Sequence, residues 1–336
     1  MEKVLVTGGS GYIALHCISQ LLFNGYFVRT SVRNKKKEDE VKNAIVKSVG
    51  SDDNLEFCIL DLMKDNGWDK ATQDCDYVLH LASPVFFSKV ENDDVLVKPA
   101  REGLMRAVKS SSKNNIKRFV MTSSFAAVGY GHSKDLYTED HWSDLSKKNL
   151  GAYNRSKTEA EMALWNFIDS SDNTSKMEAC TINPTVVLGQ SLSKDVGMSN
   201  TVVKKLLDGS IPFSANISFG VVDVKDVAAM HIEAMKNQNA AGKRFIMSER
   251  CIWYKDMANI LRENGFHKAP KYVAPNILLR IYSLFDTQVK AVIPTLGLKK
   301  MTNSNNAKSI LGWSPTNIKT SILETAKQMR DLGIIN

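Results

Sequence analysis

Tyr153 and Lys157, in the run Tyr153-Asn-Arg-Ser-Lys157, are the two side chains of this sequence best suited to proton chemistry. On a helix, residues four apart share one face and stack a turn from each other. A phenol ordinarily titrates at about 10, and a neighbouring ammonium favours its ionised form and lowers that value. A pair of this kind can hand a proton to a carbonyl oxygen, which is what hydride reduction of an aldehyde or ketone requires. Tyr130 and Lys134 have the same spacing, but Gly129 and Gly131 flank that tyrosine and mark a loop. Residues 153–168 instead combine good helix formers with apolar positions at Ala160, Ala163, Leu164, Phe167 and Ile168. Only the second pair has a helix to align it.

The elements around that helix alternate. Strand candidates are Lys3–Thr7, Phe27–Val32, Leu55–Leu60, Tyr77–Leu81, Arg118–Thr122 and Ala179–Ile182, with helix candidates near 12–24, 37–48, 94–113 and 153–169. Such alternation predicts an α/β fold, a doubly wound parallel sheet covered by helices on both faces. Residues 223–235 read as a further helix and 242–247 as a further strand. The segments from about 190 to 220 and from 250 onward lose the pattern and predict a smaller, partly helical lobe over the active site. The expected division is a nucleotide-binding domain of 1–187 plus about 221–248, and a substrate lobe of about 188–220 and 249–336.

The first strand runs into Gly8-Gly9-Ser10-Gly11-Tyr12-Ile13-Ala14. Glycines at 8 and 11 allow a tight turn and close approach of a pyrophosphate, and the following helix offers free N–H groups with a positive dipole end. Ala14 stands where a third glycine is usual, an accepted variant at that helix–strand contact. No acid follows the second strand to hold a ribose 2′-hydroxyl. Arg33 stands there, with Lys37 one turn on, and a guanidinium matches a 2′-phosphate in charge and shape. The cofactor expected is therefore NADP(H).

The net charge is +8 across 336 residues, yet the one dense cluster, Lys35 to Lys37, is followed at once by Glu38-Asp-Glu40. That lacks the basic stripe a nucleic-acid partner needs. Apolar runs are strand-length, which gives no membrane span, and the start has no secretory leader. The five cysteines lack Cys-x-x-Cys spacing and the six histidines lack ligand spacing, so reduced thiols, no metal and a cytoplasmic location are expected.

Taken together, Val6 to Ile13, Val28 to Arg33, Asp61-Leu62, His80 to Pro84, Lys98 to Gly103, Arg118 to Ser124, Thr138 to Asp144, Tyr153 to Lys157 and Asn183 to Gly189 resemble the extended short-chain dehydrogenase/reductase superfamily. The resemblance is nearest to the branch of dihydroflavonol reductases, cinnamoyl-CoA reductases and microbial NADPH-dependent carbonyl reductases. It thins after residue 190 to Gly220 to Val227 and Leu311 to Pro315. The resemblance implies that Ser124 hydrogen-bonds the substrate carbonyl, Tyr153 donates the proton, and Lys157 lowers the Tyr153 pKa and binds the nicotinamide ribose. It implies that Asp61 accepts from the adenine amine beside Leu62, that Ala82 and Ser83 line the cofactor, and that Pro184 to Val187 pack near the nicotinamide.

Three loops are expected to shape the substrate pocket: 84–87 with Phe86, 125–130 with Phe125 and Tyr130, and the stretch around 198–201. Their aromatic content suggests an apolar or aromatic carbonyl compound, acted on by a monomer or homodimer. The competing readings within the fold are a sugar-nucleotide epimerase or dehydratase and a 3β-hydroxysteroid-type dehydrogenase. From another class comes a non-catalytic NADP(H)-sensing regulator, a type in which the Tyr-Lys pair is typically lost.

Overall fold

Parallel strands buried on both faces are rich in apolar residues, as at Val4–Val6 and Phe119–Met121 of this chain. A computed structural model describes residues 1–84 and 92–335, so the candidate Phe86 lies outside the described residues. In chain order the strands are β1 (Lys3–Thr7), β2 (Phe27–Val32), β3 (Leu55–Ile59), β4 (Tyr77–His80), β5 (Arg118–Thr122), β6 (Leu136–Tyr137), β7 (Glu178–Pro184), β8 (Val186–Leu188), β9 (Ser218–Asp223), β10 (Arg244–Met247), β11 (Arg250–Trp253) and β12 (Met301–Thr302). The helices are α1 (Tyr12–Phe23), α2 (Lys35–Val49), α3 (Trp68–Thr72), α4 (Asp94–Lys113), α5 (Ala152–Ile168), α6 (Thr201–Leu207), α7 (Val224–Lys236), α8 (Tyr254–Glu263), α9 (Asn276–Tyr282), α10 (Thr287–Val292), α11 (Asn305–Leu311) and α12 (Ile318–Asp331).

Seven strands form one parallel sheet in the order β3-β2-β1-β4-β5-β7-β10. The order reverses between β1 and β4, which opens a crevice at their carboxyl ends where ligands bind in such sheets. One face is covered by α1, α2 and α7, through Leu15, Ile18, Ile45, Val227 and Met235. The other is covered by α3, α4 and α5, through Trp68, Leu104, Val108, Ala160 and Leu164. The doubly wound α/β class is as expected. So are most boundaries, with α2 starting two residues early because the Asn34 side chain accepts the Lys37 N–H at 3.1 Å and caps it.

The lobe is more regular than its sequence suggested. β8, β9 and β11 make a second sheet, with β9 parallel to β8 and antiparallel to β11. Leu206, Met257, Leu261, Ile322 and Met329 pack with it from α6, α8 and α12. A third pairing, β12 parallel to β6, joins the far end of the chain to the loop after β5.

The returning chain is also anchored by one buried carboxylate. Asp226, in the first turn of α7, accepts from Trp313 Nε1 at 3.0 Å, Thr316 N at 2.7 Å and the Thr316 hydroxyl at 2.7 Å. Replacing it with Ala orphans three donors, one of them buried, and the cost is about 2–4 kcal/mol. Asp226→Ala is therefore expected to lower the melting temperature by roughly 5 °C in a thermal scan, and a shift within about a degree would show that Asp226 does not anchor the segment.

Candidate active site

Gly8 adopts φ +72°, a conformation that favours glycine, where β1 ends. A Cβ there would sit 2.9 Å from the Ala82 Cα, and one on Gly9 would sit 2.0 Å from Thr30 Oγ1. The loop thus lies directly on the ends of β2 and β4. Its shape is held by Gly8 N donating to Ser31 Oγ at 3.0 Å, Gly9 N to the Ser31 carbonyl at 2.8 Å and Gly11 N to the Gly8 carbonyl at 2.9 Å. Helix α1 then begins with no side-chain cap and no acid in its first turn. Its leading N–H groups and positive dipole end are left for an anion, so the residues present fit a pyrophosphate.

Most of the expected cofactor residues cluster around this crevice. Arg33 is exposed just past β2 and makes no ion pair among the described residues, whereas Lys37 is paired with Glu40 at 2.6 Å. Asp61 is exposed and its carboxylate accepts the Met63 N–H at 2.9 Å. Leu62 is wedged against α4, where a Cβ on Gly103 would come within 2.7 Å of it. Ala82 and Ser83 are half-buried along the β4 exit, and Ile13 is half-buried in α1. Three side chains are held differently. The Tyr12 hydroxyl donates to the Gly189 carbonyl at 2.8 Å, and its ring packs where a Cβ on Gly197 would fall 2.7 Å away. That leaves its backbone N–H as the group a phosphate can reach. Val187 is 3% exposed in the core beside α7, and Pro184 is buried where β7 ends.

Tyr153 is the second residue of α5 and is 36% exposed, while Lys157, one turn on, is 7% exposed. Ser124 follows β5, where its hydroxyl accepts the Ala126 N–H at 3.0 Å and caps a short 3-10 turn. The same side chain lies close enough to the Tyr153 phenol to lower its pKa. The three residues are thereby brought to one place. Enclosure raises the phenol above its ordinary value, and Ser124 draws it partly back. This net direction is opposite to the lowering expected from Lys157: enclosure is the largest cause, and the group that lowers the phenol is Ser124. Burial pushes Lys157 down to about 8, opposed by the charge of Glu161. His80, at the end of β4, is held neutral by burial and by Lys157, its value lowered to about 3.

The tyrosine of the second spacing match is not on a helix. Tyr130 lies in the turn after β5, and residue 134 offers its backbone N–H to the Tyr137 hydroxyl at 3.3 Å. The cation beside Tyr130 is Lys300, whose Nζ sits 3.7 Å from the ring centroid and donates to the Gly129 carbonyl at 2.7 Å. Tyr153 adds to the burial that raises the Tyr130 phenol, so the ring lies near the acid. Phe125 is 7% exposed beneath this loop, edge-on to Tyr137 at 5.4 Å and packed with Ile246. Its ring lies against Gly129, where a Cβ would fall 2.2 Å from it.

Residues 5–258 match the family model described as the 3-beta hydroxysteroid dehydrogenase/isomerase family. The chain belongs to that family. A full-length relative is cinnamoyl-CoA reductase CAD2 of Medicago truncatula, 32% identical over 340 residues that cover 99% of this chain and 97% of the relative. Among solved structures, yeast methylglyoxal/isovaleraldehyde reductase Gre2, complexed with NADPH, is similar with a TM-score of 0.81 and 26% identity, covering 99% of this chain and 100% of that one. The Candida albicans Gre2 complex with NADPH is similar with a TM-score of 0.81 and 27% identity, each chain covered to 99%. These likenesses bear out the resemblance to extended short-chain reductases.

Some residues of this family member's site were not foreseen. Glu161 lies two turns beyond Tyr153 on α5, so the i, i+4, i+8 spacing could have disclosed it. Asn183, on β7, opens the Asn183 to Gly189 segment but was given no role there, and no local signal points to Arg244 on β10 or to Lys300 before β12. Among the described residues no helix is long and apolar enough to cross a membrane, and no group of three or more His, Cys, Asp or Glu could hold a metal ion.

Proposed function

We propose that this chain is an NADPH-dependent reductase that converts an aldehyde or ketone to the alcohol, with Tyr153 as the proton donor. The observation that carries this reading is the placement of Tyr153 beside the Ser124 side chain, on a helix whose next turn supplies the buried Lys157. The NADPH held by the Gre2 relatives, and the unopposed α1 N-terminus with Arg33 beside it, support NADP(H) as the cofactor. When bound, that cofactor supplies the hydride. Ser124 donates to the substrate carbonyl oxygen and orients it. Tyr153 passes its proton to that oxygen. Lys157 stabilises the phenolate left behind and takes ribose hydroxyls. Residues 1–187 with about 221–248 serve the nucleotide in this reading, and the lobe of about 188–220 and 249–336 serves the substrate. Tyr130 lines the pocket and favours an apolar or aromatic carbonyl compound.

The epimerase reading calls for an acid after β2, where this chain has Arg33 and Asn34. A mere cofactor sensor has no use for the assembled Ser124–Tyr153–Lys157 group. The test is a panel of aldehydes, ketones, diketones and flavonoid-like ketones with NADPH, followed by loss of absorbance of the reduced cofactor. A 3β-hydroxysteroid with NADP+ is included because the family description names that reaction. Turnover of at least one carbonyl class is expected, and activity on the steroid alone would replace the proposed reaction.

A further inference from the structure

Helix α5 carries a third ionisable side chain on the face of Tyr153 and Lys157, and it is buried completely. Glu161 is 0% exposed. One carboxylate oxygen accepts from the Ser123 hydroxyl and from Asn183 Nδ2 at 2.7 Å. The other accepts from Arg244 Nε at 2.6 Å, the Thr181 hydroxyl at 3.0 Å and Trp165 Nε1 at 3.4 Å. Apart from Trp165 on α5 itself, these donors stand at the carboxyl end of β5, on β7 and on β10. Asn183 Nδ2 also donates to the Ser124 carbonyl at 3.3 Å. Arg244 is held in turn by the carbonyls of Glu139 at 2.6 Å and His141 at 2.7 Å, and lies 3.8 Å over the Trp142 ring. One carboxylate therefore ties the helix of Tyr153 and Lys157 to the strand end that presents Ser124.

We infer that Glu161 is the positioning residue of this site, its carboxylate keeping Lys157 a cation while fixing Ser124 against the acid. This deepens the reading given above and rests on it. Lys157 is buried, and Glu161 is the anion that opposes its discharge. Among the described residues, the other titratable groups facing Lys157 are His80 on β4, held neutral, and Tyr153 on its own helix. Behind Glu161 stand Arg244 and, beyond it, Glu139, which accepts the Ile246 N–H at 3.2 Å. A buried ion pair is no stability device in itself, since desolvation offsets its Coulomb gain. A carboxylate two turns from the acid has an electrostatic task as well: it biases the protonation of the lysine between them.

The sign follows from the proton count. Reduction needs Lys157 charged, so kcat/KM falls as pH rises past the lysine pKa, which burial sets at about 8. Glu161→Gln removes the anion and moves that alkaline limb to lower pH, by about one unit, a tenfold loss on the alkaline side. Arg244→Met removes the cation that partly cancels Glu161 and moves the limb to higher pH. The double variant Glu161→Gln/Arg244→Met, which removes both members of that ion pair and so strands neither of them, decides the matter if the single Gln variant does not fold. In the cofactor-free protein, an NMR titration of 13C-labelled lysine, with the Lys157 resonance assigned by its loss in Lys157→Met, is expected to show the same two displacements. Opposite shifts in the two single variants, or an acid-side limb in the double variant, support the assignment. Limbs and lysine titrations that coincide with wild type, or a loss uniform across pH, overturn it. Neither result touches the role of Tyr153, which its own substitution tests.

Discussion

Replacing Tyr153 with Phe is expected to reduce the turnover of an aldehyde with NADPH by about a thousandfold, the scale of a positioned general acid. The phenol is 36% exposed in the crevice, so the change removes one hydroxyl and leaves the ring packing as it was. Ser124 keeps its hydrogen bond from Ala126 N at 3.0 Å and stays in place. Melting temperature and NADPH affinity are therefore expected to match wild type, because the phosphate-facing loop at Gly8 and Gly11 lies on other elements. Fluorescence titration measures the binding and initial rates measure the chemistry. A variant that retains activity within a few-fold would remove Tyr153 from the proton-donor role. Tyr130→Phe is the comparison: that ring sits under Lys300 and is expected to change KM more than kcat.

The second large effect concerns cofactor choice. Arg33→Ala is expected to weaken NADPH binding by about 1.5–3 kcal/mol, roughly ten- to a hundredfold, because a charge-assisted hydrogen bond to the 2′-phosphate is lost. NADH has no such phosphate, so its affinity is expected to stay nearly constant. Arg33 is exposed and makes no ion pair among the described residues, and the fold has no need of it. Arg29, four residues earlier, is the contrast. It is tied to Glu56 and to the carbonyls of Lys70, Ala71 and Gln73, and replacing it would destabilise the sheet edge without altering selectivity. Wild-type protein that binds NADPH and NADH equally would refute the assignment of Arg33.

The central sheet was legible because burial on both faces leaves apolar runs in the middle of β1 (Val4–Val6) and β5 (Phe119–Met121), and their ends can be read to the residue. Helix α4 was equally plain, at Asp94–Lys113 as read. The lobe was not. Its second sheet is built from β8 and β11, of three and four residues, whose partner β9 lies tens of residues away. Strands that short have no readable period, and their pairing is a property of the folded chain. Residues 190–220 thus read as irregular although they contain the start of β9 and all of α6.

The site divides along the same line. Tyr153, Lys157, Gly8, Gly11 and Arg33 could be named from sequence because spacing along one helix, or one strand–helix turn, decides where such side chains point relative to each other. The net direction of the Tyr153 pKa could not, since enclosure depends on walls from distant elements. The same is true of Lys300 over Tyr130 and of Arg244 against Glu161, 83 residues apart. Chemistry between neighbours on a single element is a local fact of the chain. Charge balance in a buried crevice is a sum over everything the fold packs around it, and it exists only once the packing does.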